Sequence, residues 1–310
     1  MTHARCLGEQ PASFWRRWEA PTWLVVVAVY GCWLALTYHA ASLPWWILVP
    51  AGGWVVCWHG SLQHEAVHRH PTRSDRINGV IAWPPLALWM PYAIYRETHL
   101  AHHGCPILTD PLEDTESFYV REASWKRMSR THRAVLSFNN TLLGRLAIGP
   151  ALVAGTHWRA ELRRIASGDF THAGVWIRHA VGVGLVLAWV TFVCDLPAWQ
   201  YAALFAYPGL SLTLLRSYAE HQPASDRKQR TAIVIGGPLS GLLYLNNNLH
   251  VVHHAHPGLA WYAIPDEFCG GRDIYTSQTG GNVYAGYPTI LRRFLLHARD
   301  HPVHPEHRPA

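Results

Sequence analysis

The chain has 310 residues, of which 15% are charged and 12% aromatic, with 16 Trp and a net charge of +6. Low charge with this many aromatics fits a membrane protein anchored at its interfaces by aromatic rings. The positive balance comes from 24 Arg and only two Lys, with no run resembling a nucleic-acid patch, so nucleic acid is excluded as a partner. Six cysteines without a CxxC pair exclude a zinc ribbon and a disulfide framework.

Residues 1–20 form a polar lead-in without the short apolar core and cleavage site of a secretory signal, ending in Trp15-Arg16-Arg17-Trp18 at a membrane surface. Residues 22–41 are apolar, begin after Pro21 and are long enough to span a bilayer. After Leu43-Pro44, residues 45–63 return as a second span that runs straight into His64. Residues 77–95 have span-like hydropathy, but Pro84-Pro85 and Pro91 interrupt them. A crossing there would also separate His68 from His99, so a re-entrant segment is expected.

Residues 104–172 are soluble in composition, with an acidic run at 110–114, a basic stretch at 125–133 and an interfacial segment at 136–153. Residues 173–194 and 197–215 are the third and fourth spans, hinged at Asp195-Leu196-Pro197. Residues 231–245 are apolar but short and contain Gly236-Gly237-Pro238, so they are expected to be packed or re-entrant. The tail, 297–310, carries His297, His301, His304 and His307, but Pro302 and Pro305 break any helix; a disordered end is expected.

Thirteen Lys/Arg fall in 64–172 and nine in 216–310, whereas the turns at 42–44 and 195–197 have none. By the positive-inside rule both termini and both histidine-bearing segments are cytoplasmic. The expected architecture is all-α: one domain, 1–310, of four transmembrane helices with a cytoplasmic helical cap, multi-pass in a bacterial inner membrane.

Three histidine clusters organise this chain. His250, His253 and His254 stand at i, i+3 and i+4, as do His99, His102 and His103; on a helix each triple shares one face. His64 and His68, in HEAVH, are one turn apart. In a chain with 22 histidines HxxxH arises readily by chance, but HxxHH is expected only about 0.1 times and occurs twice. Eight histidines, with His221 as a ninth, are too many for one ion. Imidazole suits iron, copper, zinc and nickel, and two ions with open positions account for the number. Two irons facing the cytoplasm at the end of a membrane bundle would use dioxygen to remove hydrogen from an unactivated methylene of a lipid, which no side chain can do.

HEAVH, RETHLAHH, RSYAEH and NNNLHVVHHAHPGLAWYAIP, with TDPLEDTES after the second cluster, resemble the histidine boxes of the membrane fatty acid desaturase and hydroxylase superfamily. The resemblance covers residues 22–265. It implies a non-haem diiron centre, dioxygen as co-substrate, a lipid acyl substrate and electrons from a separate ferredoxin-like carrier. Carried over position by position, the metal ligands are His64, His68, His99, His102, His103, His250, His253 and His254, and His221 matches the extra histidine after the fourth span. One of Asn246, Asn247 and Asn248 could hold a metal-bound water. Glu65 and Glu220 are expected to orient imidazoles, and Asp110 and Asp114 either do likewise or cap a turn. His59, His70 and His256 are left outside the set.

The expected reaction is desaturation of a fatty acyl chain, with hydroxylation, ketolation or oxidative decarboxylation by the same centre as the alternative. HEAVH is also the HExxH of zinc peptidases, with Glu65 as base, but that reading leaves six or seven histidines idle. A membrane metal carrier is a third class, and ligand sets aligned on short helices argue against it.

Overall fold

The computed structural model describes residues 14–307, which are mostly helical with a single two-stranded parallel sheet. The principal helices are α1 (Ala20–Tyr38), α2 (Trp45–Val67), α3 (Asp75–Ala82), α4 (Tyr92–His103), α5 (Arg130–Asn139), α6 (Leu142–Ala147), α7 (Gly149–Ala166), α8 (Ala173–Ala188), α9 (Tyr207–Glu220), α10 (Pro238–Leu243), α11 (His250–Ala255) and α12 (Tyr287–Phe294). The sheet joins β1 (Ile233–Val234) to β2 (Val283–Tyr284). Within the described residues the chain divides into two compact units, one of 14–97 with 149–214 and the other of 98–148 with 215–307.

The first unit holds all four stretches expected as spans, and each is helical. α1 begins on Pro21, where the missing N–H has no helical partner to lose. α2 continues through Pro50. The fourth stretch is α-helical over Ala198–Tyr201, widens to a π-helical turn over Ala202–Ala206 and continues as α9. A second π turn, Trp189–Val193, extends α8. Two of the four, Ala20–Tyr38 and Ala173–Val193, are long and apolar enough to cross a membrane, each with a mean hydropathy of 1.6. Only 28% and 22% of those stretches are buried, so residues such as Val27, Ile177 and Phe192 lie on the surface, unlike the core helices of a water-soluble fold.

Glycine permits the closest approach in this unit. A Cβ on Gly52 would lie 2.7 Å from the Phe205 ring and 2.8 Å from the Leu204 carbonyl oxygen, and one on Gly209 would lie 2.5 Å from Val56. Small residues at such crossings let two helix backbones approach closely. The buried polar side chains close on one another: Trp33 Nε1 donates to the Tyr201 hydroxyl (3.0 Å), which donates to the Leu86 carbonyl (2.7 Å). Residues 77–95 form α3, then irregular backbone around Pro84, Pro85 and Pro91, then the start of α4. Pro84 and Pro85 lack the N–H groups that would continue the helical ladder, and α3 ends at Ala82.

In the second unit, α5 and α6 are capped by Ser129 and Thr141, whose side chains accept from the His132 and Gly144 amides. Residues 231–245 become β1 and the six-residue α10, roughly 9 Å long and too short to cross a bilayer. The core there gathers Leu142, Tyr218, Val234, Tyr284, Ile290 and Phe294.

The tail corrects the expectation of a disordered end. Val303 and His304 are buried, and Val120 pairs with the tail in a parallel bridge, its amide bonding to the Pro302 carbonyl (2.9 Å) and its carbonyl accepting from the His304 amide (3.1 Å). The prolines do forbid a long helix, but they leave extended backbone free to bond a neighbouring loop, and that loop is contributed by 109–120. Residues 1–13 and 308–310 lie outside the described residues.

Candidate metal centre

The site-bearing segments are positioned by packing, not by their own helical propensity. α11 has only six residues, below the length at which a helix is stable alone. Leu249, Val251 and Val252 anchor it against Ile233, Ile264 and Phe268, and the Val234 amide bonds to the Asn248 carbonyl at 2.8 Å. His221 follows α9 and is held in an antiparallel bridge with Thr231.

Within the second unit this packing brings four imidazoles to one point. The ligand nitrogens of His102, His221, His250 and His254 all lie within 4.8 Å of one another. Nε2 atoms stand 3.1 Å apart for His102 and His221, 2.9 Å for His250 and His221, and 3.1 Å for His254 and His250. Nitrogens about 2.1 Å from a common ion stand about 3.0–3.4 Å apart when adjacent, so the spacing is that of a ligand shell.

The opposite face of each ring decides where its proton sits. His102 Nδ1 faces the Asp114 carboxylate at 2.7 Å, and His221 Nδ1 faces the Arg230 carbonyl at 3.1 Å. Both are acceptors, so both Nδ1 atoms donate and, in the neutral rings, both Nε2 atoms present lone pairs. His250 Nδ1 lies 3.0 Å from Asn247 Oδ1 and 3.3 Å from Glu220 Oε1. One added proton could bridge one Nε2 pair and would leave the other pairs facing lone pair to lone pair. A cation at the centre satisfies all of them at once.

The electrostatics favour the neutral, metal-binding form of most of these rings. Burial lowers His221 to about 3 and holds His250 and His254 well below the ordinary imidazole value, whereas His102 is raised, its burial outweighed by the Glu116 and Asp114 carboxylates. Burial would raise Asp114, but its hydrogen bond to His102 outweighs this and keeps it an ionised acceptor. Burial pushes Glu220 up to about 7 against the pull of the Arg216 guanidinium, 2.8 Å away.

A second set lies in the same unit. His103 Nε2 is 3.2 Å from His99 Nε2 and 3.0 Å from His253 Nε2, and Glu116 holds His99 Nδ1 at 2.8 Å. His64 lies in the last turn of α2 and His68 caps that helix in the first unit; both are buried, with ring centroids 5.0 Å apart.

The alternatives left open at the acidic run separate cleanly. Asp114 orients His102, whereas Asp110 caps the turn by accepting from the Leu112 and Glu113 amides. Among the asparagines, Asn247 touches His250, while Asn246 and Asn248 donate to the Trp261 and Val234 carbonyls. Glu220 lies on His250 as expected. Glu65 is 3.8 Å from His64, too long for a hydrogen bond. His59, His70 and His256 engage Tyr30, Glu19 and Tyr275. Sequence reasoning missed Glu116 and the Arg230 carbonyl; TDPLEDTES did contain Glu116, but nothing in its spacing distinguishes it from Glu113.

The sequence model of the fatty acid desaturase family matches residues 40–275, well over half of the chain. The chain belongs to the fatty acid desaturase family. No curated protein matches it. Membership makes the chain an oxidoreductase of desaturase or hydroxylase type, in a membrane-associated, lipid-acting family that generally uses iron. It displaces the peptidase reading of HEAVH, and the nitrogen-rich clusters fit iron as a ligand-hungry cation.

Proposed function

We propose that this protein is an oxygen-dependent fatty acyl desaturase whose nine histidines hold two non-haem irons. The observation that carries the reading is the convergence of four Nε2 atoms, three of them on rings whose opposite nitrogens are engaged by protein acceptors. His102, His221, His250 and His254 would hold one iron. His99, His103 and His253 belong to the other, and His64 and His68, assigned from the HEAVH motif, provide its remaining ligands. Bound iron supplies the capacity to reduce dioxygen and to take hydrogen from an unactivated methylene.

The chain's own residues do the rest. Asp114, Glu116 and the Arg230 carbonyl keep protons on the Nδ1 atoms of His102, His99 and His221, leaving the Nε2 atoms free as ligands. Arg216 and Asn247 hold the Glu220 carboxylate against His250. Burial of His102, His250 and His253 keeps bulk water from their nitrogens. The four helical stretches of the first unit would form a four-span bundle with the boxes cytoplasmic. Exposed Trp45, Trp46 and Trp199 beside the two turns that lack Lys and Arg support this, as an interfacial aromatic belt would. Electrons would come from a separate ferredoxin-like protein.

Expression in a host of defined lipid content, followed by mass spectrometry of total fatty acids, tests the proposal. Loss of two hydrogens from an acyl chain is the expected change. A gain of one oxygen would move the assignment to hydroxylase, and unchanged lipids from an iron-loaded protein supplied with reductant would defeat it.

A further inference from the structure

The structure assigns the C-terminal segment 299–307 a role no histidine box predicts: it is a strap that positions two ligands of one metal site, His221 and His102. The strap lies beyond the residues matched by the family, 40–275. The inference rests on the two-metal reading above.

Two lines of contact lead from the strap to the ligands. Along the first, Arg299 Nη2 donates to the backbone carbonyl of His221 at 2.7 Å, and its Nη1 donates to the Tyr218 carbonyl. The guanidinium is itself fixed by Asp300 at 2.7 Å and the Tyr119 hydroxyl at 3.0 Å. On the other side of His221, Arg230 presents the carbonyl that bonds Nδ1, and its fully buried side chain donates to the Leu108 and Ala224 carbonyls and to Glu306 of the strap. The residue is thus gripped by its own carbonyl and by its ring, and the strap supplies an anchor to each grip.

Along the second line, His304 is buried and accepts at Nδ1 from the Glu306 amide, so its Nε2–H points at Thr109 Oγ1, 3.0 Å away. The Thr109 amide donates to Asp114 Oδ2 at 2.7 Å, and Asp114 Oδ1 holds His102 at 2.7 Å. His307 secures the same loop through Asp110 at 2.8 Å. A longer branch of the second line reaches His99, since the Glu116 amide donates to Asp114 Oδ1 at 2.9 Å and Glu116 holds His99 Nδ1, but the Arg299 line ends on His221. Cutting the Arg299 line should therefore act on the site of His221 and His102. Removing a group that orients a ligand typically costs 10–100-fold in metal affinity.

The test uses the full-length, detergent-solubilised protein, stripped of metal and titrated with Co(II) alone, reading equivalents bound and the visible absorption of each site. Wild type should bind two equivalents. In Arg299→Gln one equivalent should weaken about 10–100-fold with an altered spectrum, while the other keeps its affinity. Arg299→Lys, which retains a donor, should recover part of the loss, and His304→Ala should shift the same equivalent. Two wild-type affinities in Arg299→Gln and His304→Ala would overturn the inference. So would loss of both equivalents together with a collapsed thermal melt, since the strap would then be generally structural. Failure of wild type to bind cobalt or iron would instead remove the metal centre, and the strap's role with it.

Discussion

Two buried polar clusters of this protein, one in each unit, are arranged in opposite ways. Around Trp33, Tyr201 and Leu86 every donor meets an acceptor, and the chain of bonds ends on a carbonyl. Around His102, His221, His250 and His254 the outer nitrogens of the first three are paired, while the inner nitrogens of all four face one another at 2.9–3.1 Å. Buried polar groups are nearly always satisfied. Where the accounting closes, the polar atoms serve the fold, and where it stays open toward a common point, they serve a ligand.

The comparison breaks most sharply at the histidines. His102→Ala or His253→Ala should abolish acyl-chain turnover while the protein still inserts in the membrane, measured by fatty acid analysis beside a membrane fractionation. Activity retained in either variant removes that residue from the ligand set. One step out, Asp114→Asn replaces an ionised acceptor with an amide and should lower iron affinity or turnover about 10–100-fold, read as iron per chain after dialysis. If iron content is unchanged, the Nδ1 partner is not setting ligand basicity.

In the apolar core around Trp33 and Gly209 the effects should be energetic, not chemical. Gly209→Val forces atoms into the space held by Val56 and should destabilise by about 1–3 kcal/mol, seen as a lower melting temperature with normal iron content per folded chain. An unshifted melt would show that the helices give way there. Trp33→Phe is the mildest change, about 1 kcal/mol, because it removes one donor and leaves the Tyr201 hydroxyl bonded to Leu86. Loss of iron in that variant would contradict the division drawn here.

The boxes were legible because helical periodicity alone puts i, i+3 and i+4 on one face, and α4 and α11 are indeed helical through their triples. The prolines of 77–95 were equally legible, since they act on the backbone beside them. What could not be read is whatever depends on long-range pairing. Glu116 meets His99 across a loop, and His221 is oriented by a backbone carbonyl, which no residue type advertises. The tail failed for a related reason: Pro302 and Pro305 exclude a long helix, yet its order comes from bonds to 109–120 that composition does not report.

The inward-facing lone pairs also tie folding to nutrition. On the two-iron proposal, filling the cluster would couple native stability to cation supply, by about 4 kcal/mol when free metal exceeds its dissociation constant a thousandfold. In cells grown without iron the newly made chain should therefore be a better protease substrate, and its steady-state amount should follow the iron available to it.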